Sequence, residues 1–113
     1  MKTTININEA TIKNFIESIR PEDLEIRKQV DMGYSFDEKT AILYEIRPSF
    51  MEEGAIDHIE FAKIRFYKST SKWKLYWMRS NEKWHQYQPF PESTHLDEII
   101  NIIKKDEHGC FFG

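Results

Sequence analysis

The sequence has little of what marks several classes of protein, and each shortage is informative. One cysteine in 113 residues cannot form a disulfide within the chain, which excludes a disulfide scaffold. The longest purely apolar runs are a few residues, far fewer than the roughly 20 that span a bilayer. The first nine residues lack the long apolar stretch of a signal peptide. We therefore expect a cytoplasmic protein without a membrane partner, in which Cys110 stays a thiol.

Apolar and aromatic residues are numerous enough to build a core. Hydrophobic residues make up 40% of the chain and aromatic residues 14%, and the formal net charge is −3. That balance excludes a disordered chain. The length predicts a single α+β domain over residues 1–113, without repeats or linkers. A domain of this size buries roughly two-thirds of the surface of its unfolded chain, which favours a modest cleft or a surface site.

Helical periodicity appears near both ends of the sequence. Apolar residues recur three or four positions apart at Ile12, Phe15, Ile16 and Ile19, and again at Leu96, Ile99, Ile100 and Ile103. The first stripe predicts a helix over residues 8–20, capped by Asn8 and ended before Pro21. The second stripe predicts a C-terminal helix that is capped by Ser93 or Thr94.

Between these helices the apolar period changes to two, which predicts strands. The predicted strands cover residues 24–36, 41–47, 59–68, 72–79 and 83–88, with surface loop 49–58 after the first hairpin. The element order predicts an α+β fold, namely an antiparallel sheet of about five strands with an N-terminal and a C-terminal helix packed on one face. In the strand over 72–79, one face should meet the helices and the other should face water. The first face holds Trp73, Leu75, Trp77 and Arg79, and the second holds Lys72, Lys74 and Tyr76.

Four strings of the sequence together resemble a known family. They are Glu45-Ile46-Arg47-Pro48, Trp73-Lys74-Leu75-Tyr76-Trp77-Met78-Arg79, Lys83-Trp84 and Cys110-Phe111-Phe112-Gly113. In this order they resemble a bacterial family catalogued as domain of unknown function 3024, over residues from about 8 to the last. The resemblance implies a small stand-alone bacterial domain. It implies no activity, cofactor or catalytic residue.

Charge is distributed unevenly along the chain. Residues 37–60 hold two basic and seven acidic side chains, whereas residues 61–91 hold seven basic and one acidic, together with all three tryptophans. Basic side chains neutralise phosphates and aromatic rings stack on bases, so the ribbon over 61–88 is a candidate polyanion-binding surface. Its candidate residues are Lys63, Arg65, Lys68, Lys72, Lys74 and Lys83.

Two observations favour a plainer interpretation of this ribbon. The basic side chains could pair across strands with Glu45 and Glu60, or simply keep one face solvated. The acidic balance of the whole chain also argues against a dedicated nucleic-acid binder, for which a basic domain is expected. Nucleic acid is therefore the second interpretation at this point, and a solvated face is the first.

A polar cluster is a second candidate site. Glu45, Arg47, Arg79 and His85 could converge if their strands are neighbours. A carboxylate, an imidazole and two guanidiniums would suit acid–base chemistry on a phosphate or carboxylate substrate. A structural ion pair between Glu45 and one arginine is the alternative that we favour. No catalytic residue is assigned on this evidence.

Metal and cofactor sites are not predicted. The four histidines and Cys110 lack the paired spacing of a zinc site, and there is no glycine-rich phosphate loop, no HExxH and no nucleophile elbow. The tail is a candidate docking segment formed by Cys110, Phe111 and Phe112. Its phenylalanines should bury themselves on the chain's own core or on a second copy of the chain.

These observations lead to one favoured function and two alternatives. We expect a small cytoplasmic binding or interaction domain without catalysis, with a homodimer as a candidate assembly. The sequence does not identify a small-molecule ligand. The first alternative is a nucleic-acid-associated protein that uses the ribbon over 61–88. The second is a small hydrolase or nuclease acting on a phosphate-bearing substrate.

Overall fold

Three helices and six strands make up residues 6–112, the part of the chain that the computed structural model describes. In chain order they are α1 (Ile7–Ile19), α2 (Leu24–Arg27), β1 (Asp31–Asp37), β2 (Thr40–Pro48), β3 (Ile56–Tyr67), β4 (Lys72–Met78), β5 (Trp84–Gln86), β6 (Glu92–Ser93) and α3 (Leu96–Lys105). The predicted α+β class is confirmed.

The sheet is an antiparallel meander. Its strands follow the order β1-β2-β3-β4-β5, so each of these strands pairs with its neighbours in sequence. The outer side of β4 is shared, because Tyr76, Trp77 and Met78 pair with β5 whereas Trp73 and Lys74 pair with β6. The prediction of about five strands is confirmed, and β6 is a short addition to them.

Both long helices pack on the same face of the sheet, as predicted. α1 contacts β1 and β2, α3 contacts β4 and β6, and the two helices touch each other. The core between the layers contains Ile12, Phe15, Ile16, Ala41, Leu43, Ala62, Ile64, Trp73, Leu75, Ile99 and Ile103. Burial of Trp73 and Leu75 agrees with the predicted orientation of their strand.

A β-bulge at Phe61 reverses the alternation of side chains along β3. Leu43 pairs with Ala62, but the next residue of β2, Tyr44, pairs with Glu60. Phe61 and Ala62 are both buried, although successive strand residues normally point to opposite faces. As a consequence, Glu60 lies on the same face as Lys63.

The start of α1 differs from the prediction. The helix covers Ile7–Ile19 and not 8–20, and its N-cap is Asn6 and not Asn8. The Asn6 side-chain oxygen accepts the backbone N–H groups of Asn8 at 2.9 Å and Glu9 at 3.1 Å. Asn8 is an equally good capping residue type, so sequence preference alone does not distinguish the two positions.

The predicted first strand is wrong over residues 24–30. A single turn of helix, α2, occupies Leu24–Arg27, because the Asp23 carboxylate accepts the Glu25 N–H at 2.8 Å and caps it. Leu24 is 67% exposed and Ile26 49% exposed, so their alternation does not reflect burial on a sheet. The strand itself begins at Asp31.

Smaller corrections apply to other boundaries. The third strand begins at Ile56 and not at residue 59, which shortens the predicted loop 49–58. The fifth strand covers Trp84–Gln86 and not 83–88. His95 is the N-cap residue of α3 but makes no capping bond with its side chain. The Ser93 hydroxyl oxygen instead accepts the His95 N–H at 3.0 Å.

An ion pair joins the end of α1 to the start of the sheet. Arg20 binds Asp31 in a bidentate arrangement, with Nε–Oδ1 and Nη2–Oδ2 distances of 2.9 Å. Both side chains are more than half buried, and the guanidinium holds the pKa of the Asp31 carboxyl below its ordinary value of 3.8. Bidentate arginine–carboxylate pairs are the strong members of their class.

The lowered pKa of Asp31 predicts a specific dependence of stability on pH. The pair stabilises the protein fully above pH 3.8, and this contribution is lost as the pH falls through the lowered pKa. Asp31→Asn should therefore lower the urea midpoint at neutral pH, and the difference from wild type should shrink in acid. Urea titrations of both proteins across this range measure it. A difference that stays constant down to the acid limit would contradict the assignment.

Candidate binding site on the open sheet face

The face of the sheet opposite α1 and α3 carries polar and aromatic side chains. We call it the open face and define it by Ile42, Tyr44, Glu60, Lys63, Arg65, Tyr67, Lys72, Lys74, Tyr76, Met78, Trp84, Gln86 and Glu92. These residues share one face because paired residues of neighbouring strands point the same way. All of them are half-buried except Glu60 and Arg65, which are exposed.

Four of the six candidate polyanion-binding residues lie on the open face. Across β3 and β4, Arg65 lies opposite Lys74, Lys63 lies opposite Tyr76, and Tyr67 lies opposite Lys72 in the strand register. The other two, Lys68 and Lys83, are exposed in the turns that follow β3 and β4. The predicted ribbon is therefore one surface with two outlying lysines.

The acidic segment 37–60 does not neutralise this surface through ion pairs. Lys72 pairs with Glu92 at 3.0 Å, and Glu45 pairs with Arg47 at 3.1 Å. Between residues 6 and 112, no ion pair within 4.0 Å joins an acidic side chain of 37–60 to a basic side chain of 61–91. The predicted cross-strand pairing of Glu45 and Glu60 with the basic ribbon is absent from this part of the chain.

Two tyrosines lie among the cations of the open face. The hydroxyl oxygens of Tyr67 and Tyr76 are 2.7 Å apart, within hydrogen-bond distance. The Lys74 ammonium lies 4.7 Å from the Tyr67 ring centre, and the Arg65 guanidinium lies 5.4 Å from it on the same ring. The Lys63 ammonium lies 5.4 Å from the Tyr76 ring centre. Cations at this distance are attracted to the ring face, so rings and charges form one array.

The hydrogen bond between these tyrosines predicts a shift that can be measured. Burial and, as a second cause, the hydrogen bond with Tyr67 together raise the pKa of Tyr76 to about 12. Tyr67→Phe removes the second cause and should lower the pKa of Tyr76 towards its ordinary value of 10.0. Tyrosinate absorbance during an alkaline titration reports it. A curve that loses the Tyr67 transition but leaves the Tyr76 transition where it was would show that the hydroxyls do not interact.

Tyr44 is held between a glycine and a histidine at one end of the open face. Its ring stacks on His58, with ring centres 4.4 Å apart and planes 12° from parallel. On the other side, a Cβ added to Gly33 would lie 2.7 Å from Cε1 of Tyr44. The missing side chain of Gly33 therefore makes room for the ring, and Gly33→Ala would displace Tyr44 from this position.

The predicted polar cluster of Glu45, Arg47, Arg79 and His85 separates into two pairs. Glu45 and Arg47 bind each other on β2. Arg79 lies with its guanidinium 5.6 Å from the Trp77 ring centre, and His85 lies within 3.4 Å of the Asn81 amide. Among residues 6–112, no hydrogen bond or ion pair joins one pair to the other.

A shallow cavity of about 300 Å³ lies where Arg79 and His85 meet the tail. Trp77, Tyr87 and Cys110 also line it. Burial raises the pKa of the Cys110 thiol, and Asp106 adds to this effect, so the thiolate is scarce at neutral pH. Of the strings that carry the family resemblance, the second and the last contribute to this cavity.

The tail docks on the chain's own core. Phe111 is 6% exposed and its ring centre lies 5.0 Å from that of Tyr87, whereas Phe112 is 43% exposed and lies against Phe61 at 5.2 Å. Asp106 has a left-handed backbone with φ of 42°, and its carboxylate oxygens accept the N–H groups of Phe111 at 3.0 Å and Phe112 at 2.8 Å.

The described part of the chain contains neither a candidate metal site nor a candidate membrane-spanning helix. No three histidine, cysteine, aspartate or glutamate side chains within residues 6–112 are grouped so as to hold a metal ion. No helix in the same range is long and apolar enough to cross a membrane.

The open-face tyrosines are not among the candidate site residues predicted from the sequence, although the predicted strand over 72–79 places Tyr76 beside Lys72 and Lys74. Tyr67 and Tyr76 are separated by a turn, and only strand pairing brings their hydroxyls together. A sequence signal did exist, because Tyr76 alternates with Lys72 and Lys74 on the wet side of its strand. Period-two alternation places an aromatic ring among cations whenever one occurs at such a position.

Comparison with known proteins gives one match. The family model described as Domain of unknown function (DUF3024) matches residues 2–113, which is nearly the whole chain. No curated protein and no solved structure matches the chain.

Proposed function

The chain belongs to the family described as Domain of unknown function (DUF3024), whose description names no activity, and from its surface we propose that it is a non-catalytic domain that binds single-stranded nucleic acid. The ligand lies on the open face. The observation that carries the proposal is the array of Lys63, Arg65 and Lys74 around Tyr67 and Tyr76, none of which is paired with a carboxylate of the acidic segment.

The chemistry of this array matches the two parts of a single strand. Phosphates need cations, and unpaired bases need flat rings on which to stack. Lys74 and Arg65 lie 4.7 and 5.4 Å from the Tyr67 ring centre, so a stacked base and its phosphate would both find a partner within one nucleotide. Base stacking on an aromatic side chain is worth about 1–3 kcal/mol and tolerates any base.

The sign of the charge argues for an anionic ligand over a second copy of the chain on this face. Two open faces packed together would bring their lysines and arginines close to one another. Like charges in contact across an interface cost several kcal/mol. A polyanion is attracted by the same charges, and it releases counterions as it binds.

A binding role fits the remaining polar residues better than hydrolysis does. Glu45, the candidate acid–base residue, is engaged by Arg47 on its own strand. Arg79 and His85 lie at the cavity beside Cys110, on the other side of β4 and β5 from the open face. We place this binding function in the cytoplasm as part of the proposal, because the one cysteine is a free thiol.

The proposal is tested by fluorescence anisotropy with a labelled oligothymidylate of about 12 nucleotides, within the range that single domains cover. Binding should weaken with salt, with a log–log slope of about −2 if three phosphates are neutralised at about 0.7 each. Lys63→Glu with Lys74→Glu should weaken binding at least tenfold and flatten the slope.

A matched control keeps the change in net charge the same. Lys13 and Lys105 are exposed on α1 and α3, on the helix side of the molecule. Lys13→Glu with Lys105→Glu should leave the affinity within about twofold. Equal weakening by both double variants would show that only net charge matters, and binding without salt dependence would exclude the proposed surface. A double-stranded probe that binds as tightly as the single strand would exclude base stacking.

A further inference from the structure

The hairpin of β2 and β3 extends beyond the rest of the sheet. β3 pairs with β4 only over Ala62–Tyr67, whereas its first residues pair with β2 alone. The segment Ile56–Glu60 therefore has one backbone edge without a neighbouring strand in the described chain. Such an edge presents free N–H and C=O groups that can pair with another extended chain.

Large apolar side chains surround this free edge and are exposed. Phe50 is 92% exposed and Met51 82%, both in the loop at the tip of the hairpin. Ile56 is 65% exposed and Ile59 46%, both on the free segment itself. Single exposed apolar residues are ordinary, but four on one projection, on both faces of the strand, are unusual and favour an interaction site.

The other long edge of the sheet provides a contrast. β1 is also an edge strand, but its apolar side chains Met32, Tyr34 and Phe36 pack against the core. Proteins blunt exposed edges with charge, proline or bulges. On β3 the bulge at Phe61 comes after the free segment, so residues 56–60 keep an extended edge with apolar side chains beside it.

Charge decides which partner fits. The hairpin carries Glu52, Glu53, Asp57 and Glu60, and its arginine, Arg47, is bound to Glu45. A cleft of about 500 Å³ along the free segment is also lined by Glu82. A second copy that paired with this edge would bring an equally acidic hairpin beside this one, and such a juxtaposition of like charges is unfavourable.

We infer that the free edge of β3 binds an extended protein segment in which lysine or arginine alternates with apolar residues. The segment adds a strand to the sheet beside Ile56–Glu60. Ile56 and Glu60 lie on one face of β3 and Asp57 and Ile59 on the other, so the apolar side chains of the segment lie against one isoleucine and its cations lie beside the carboxylate of the opposite face. Backbone pairing supplies affinity, and the alternating pockets and charges supply selectivity. The segment does not cover the array of Lys63, Arg65 and Lys74 around Tyr67 and Tyr76, so this interface can be tested separately from the proposed nucleic-acid site.

The test uses the full chain and a peptide of about seven residues that alternates lysine and valine, since Ile56–Glu60 spans roughly 17 Å at about 3.4 Å per residue. Backbone amide NMR shifts should change in residues 56–60 and not in 31–37. A peptide that alternates glutamate and valine, and a lysine–valine peptide with a central proline, should each bind at least tenfold more weakly.

A charge exchange separates recognition from loss of folding. Asp57→Lys with Glu60→Lys should weaken the lysine–valine peptide at least tenfold and strengthen the glutamate–valine peptide. Glu22→Lys with Glu107→Lys, at exposed positions elsewhere, should change neither. Equal affinity of wild type for both peptides, shifts confined to β1, or a concentration-dependent dimer through residues 56–60 would each overturn the inference.

Discussion

Phe111→Ala is expected to lower the free energy of unfolding by about 3 kcal/mol, the lower end of the range for a buried phenylalanine. The side chain is 6% exposed and lies against Tyr87 in the core. The value falls at the lower end because Phe111 lies in the irregular segment that follows α3, and such a segment can move to fill part of the space that the ring leaves. Urea denaturation followed by tryptophan fluorescence measures it.

The neighbouring residue is a control of the same type. Phe112 is 43% exposed, so Phe112→Ala should cost about 1 kcal/mol, in proportion to the smaller area that it removes from water. Equal losses for the two variants would show that the tail contributes as a general apolar cover. A loss at Phe112 alone would reverse the assignment of which ring is in the core.

Leu75→Ala should lower the free energy of unfolding by about 2–5 kcal/mol, because it opens a cavity in the middle of the sheet. Leu75 is 0% exposed, and its backbone receives the Tyr87 N–H at 2.8 Å and donates to the Pro91 carbonyl at 3.0 Å. These two hydrogen bonds hold the backbone of β4 in place, so the cavity cannot collapse after the substitution. This favours the upper half of the range of free-energy losses.

The comparison for Leu75 is its neighbour on the opposite face. Lys74→Ala removes a half-buried side chain that points away from the helices, and it should cost less than about 1 kcal/mol. Urea midpoints of the two variants test the alternation directly. Similar losses at both positions would mean that the open face is covered by something in solution.

The helices and the alternation of the central strands could be predicted from the sequence because burial there follows a regular period. Ile12, Phe15 and Ile16 are buried at helical spacing, and Trp73 and Leu75 are buried two apart. Where a local side-chain bond decides the structure, periodicity fails. The residues that follow Asp23 alternate like a strand, yet one capping bond turns them into α2.

The candidate sites depended on information that the sequence does not contain. Convergence of Glu45 with Arg79 depends on side-chain orientations that the sequence does not contain. In the structure Glu45 binds Arg47, and Arg79 lies over Trp77. The bulge at Phe61 could not be predicted from the sequence either, since it arises from a mismatch in the pairing of β2 with β3. The acidic segment 37–60 and the basic segment 61–91 are evident in the sequence. Only the placement of the strands shows that their side chains do not form ion pairs with each other in the described chain.

The meander order of the sheet has a consequence for how quickly the chain folds. Every strand from β1 to β5 pairs with a neighbour in sequence, so the hairpins can form early at little cost in loop closure. The contact between α1 and α3 is different, because it joins opposite ends of the chain. Docking of the two helices is therefore the step with the largest entropic cost, and the rate of folding should be most sensitive to substitutions where they meet.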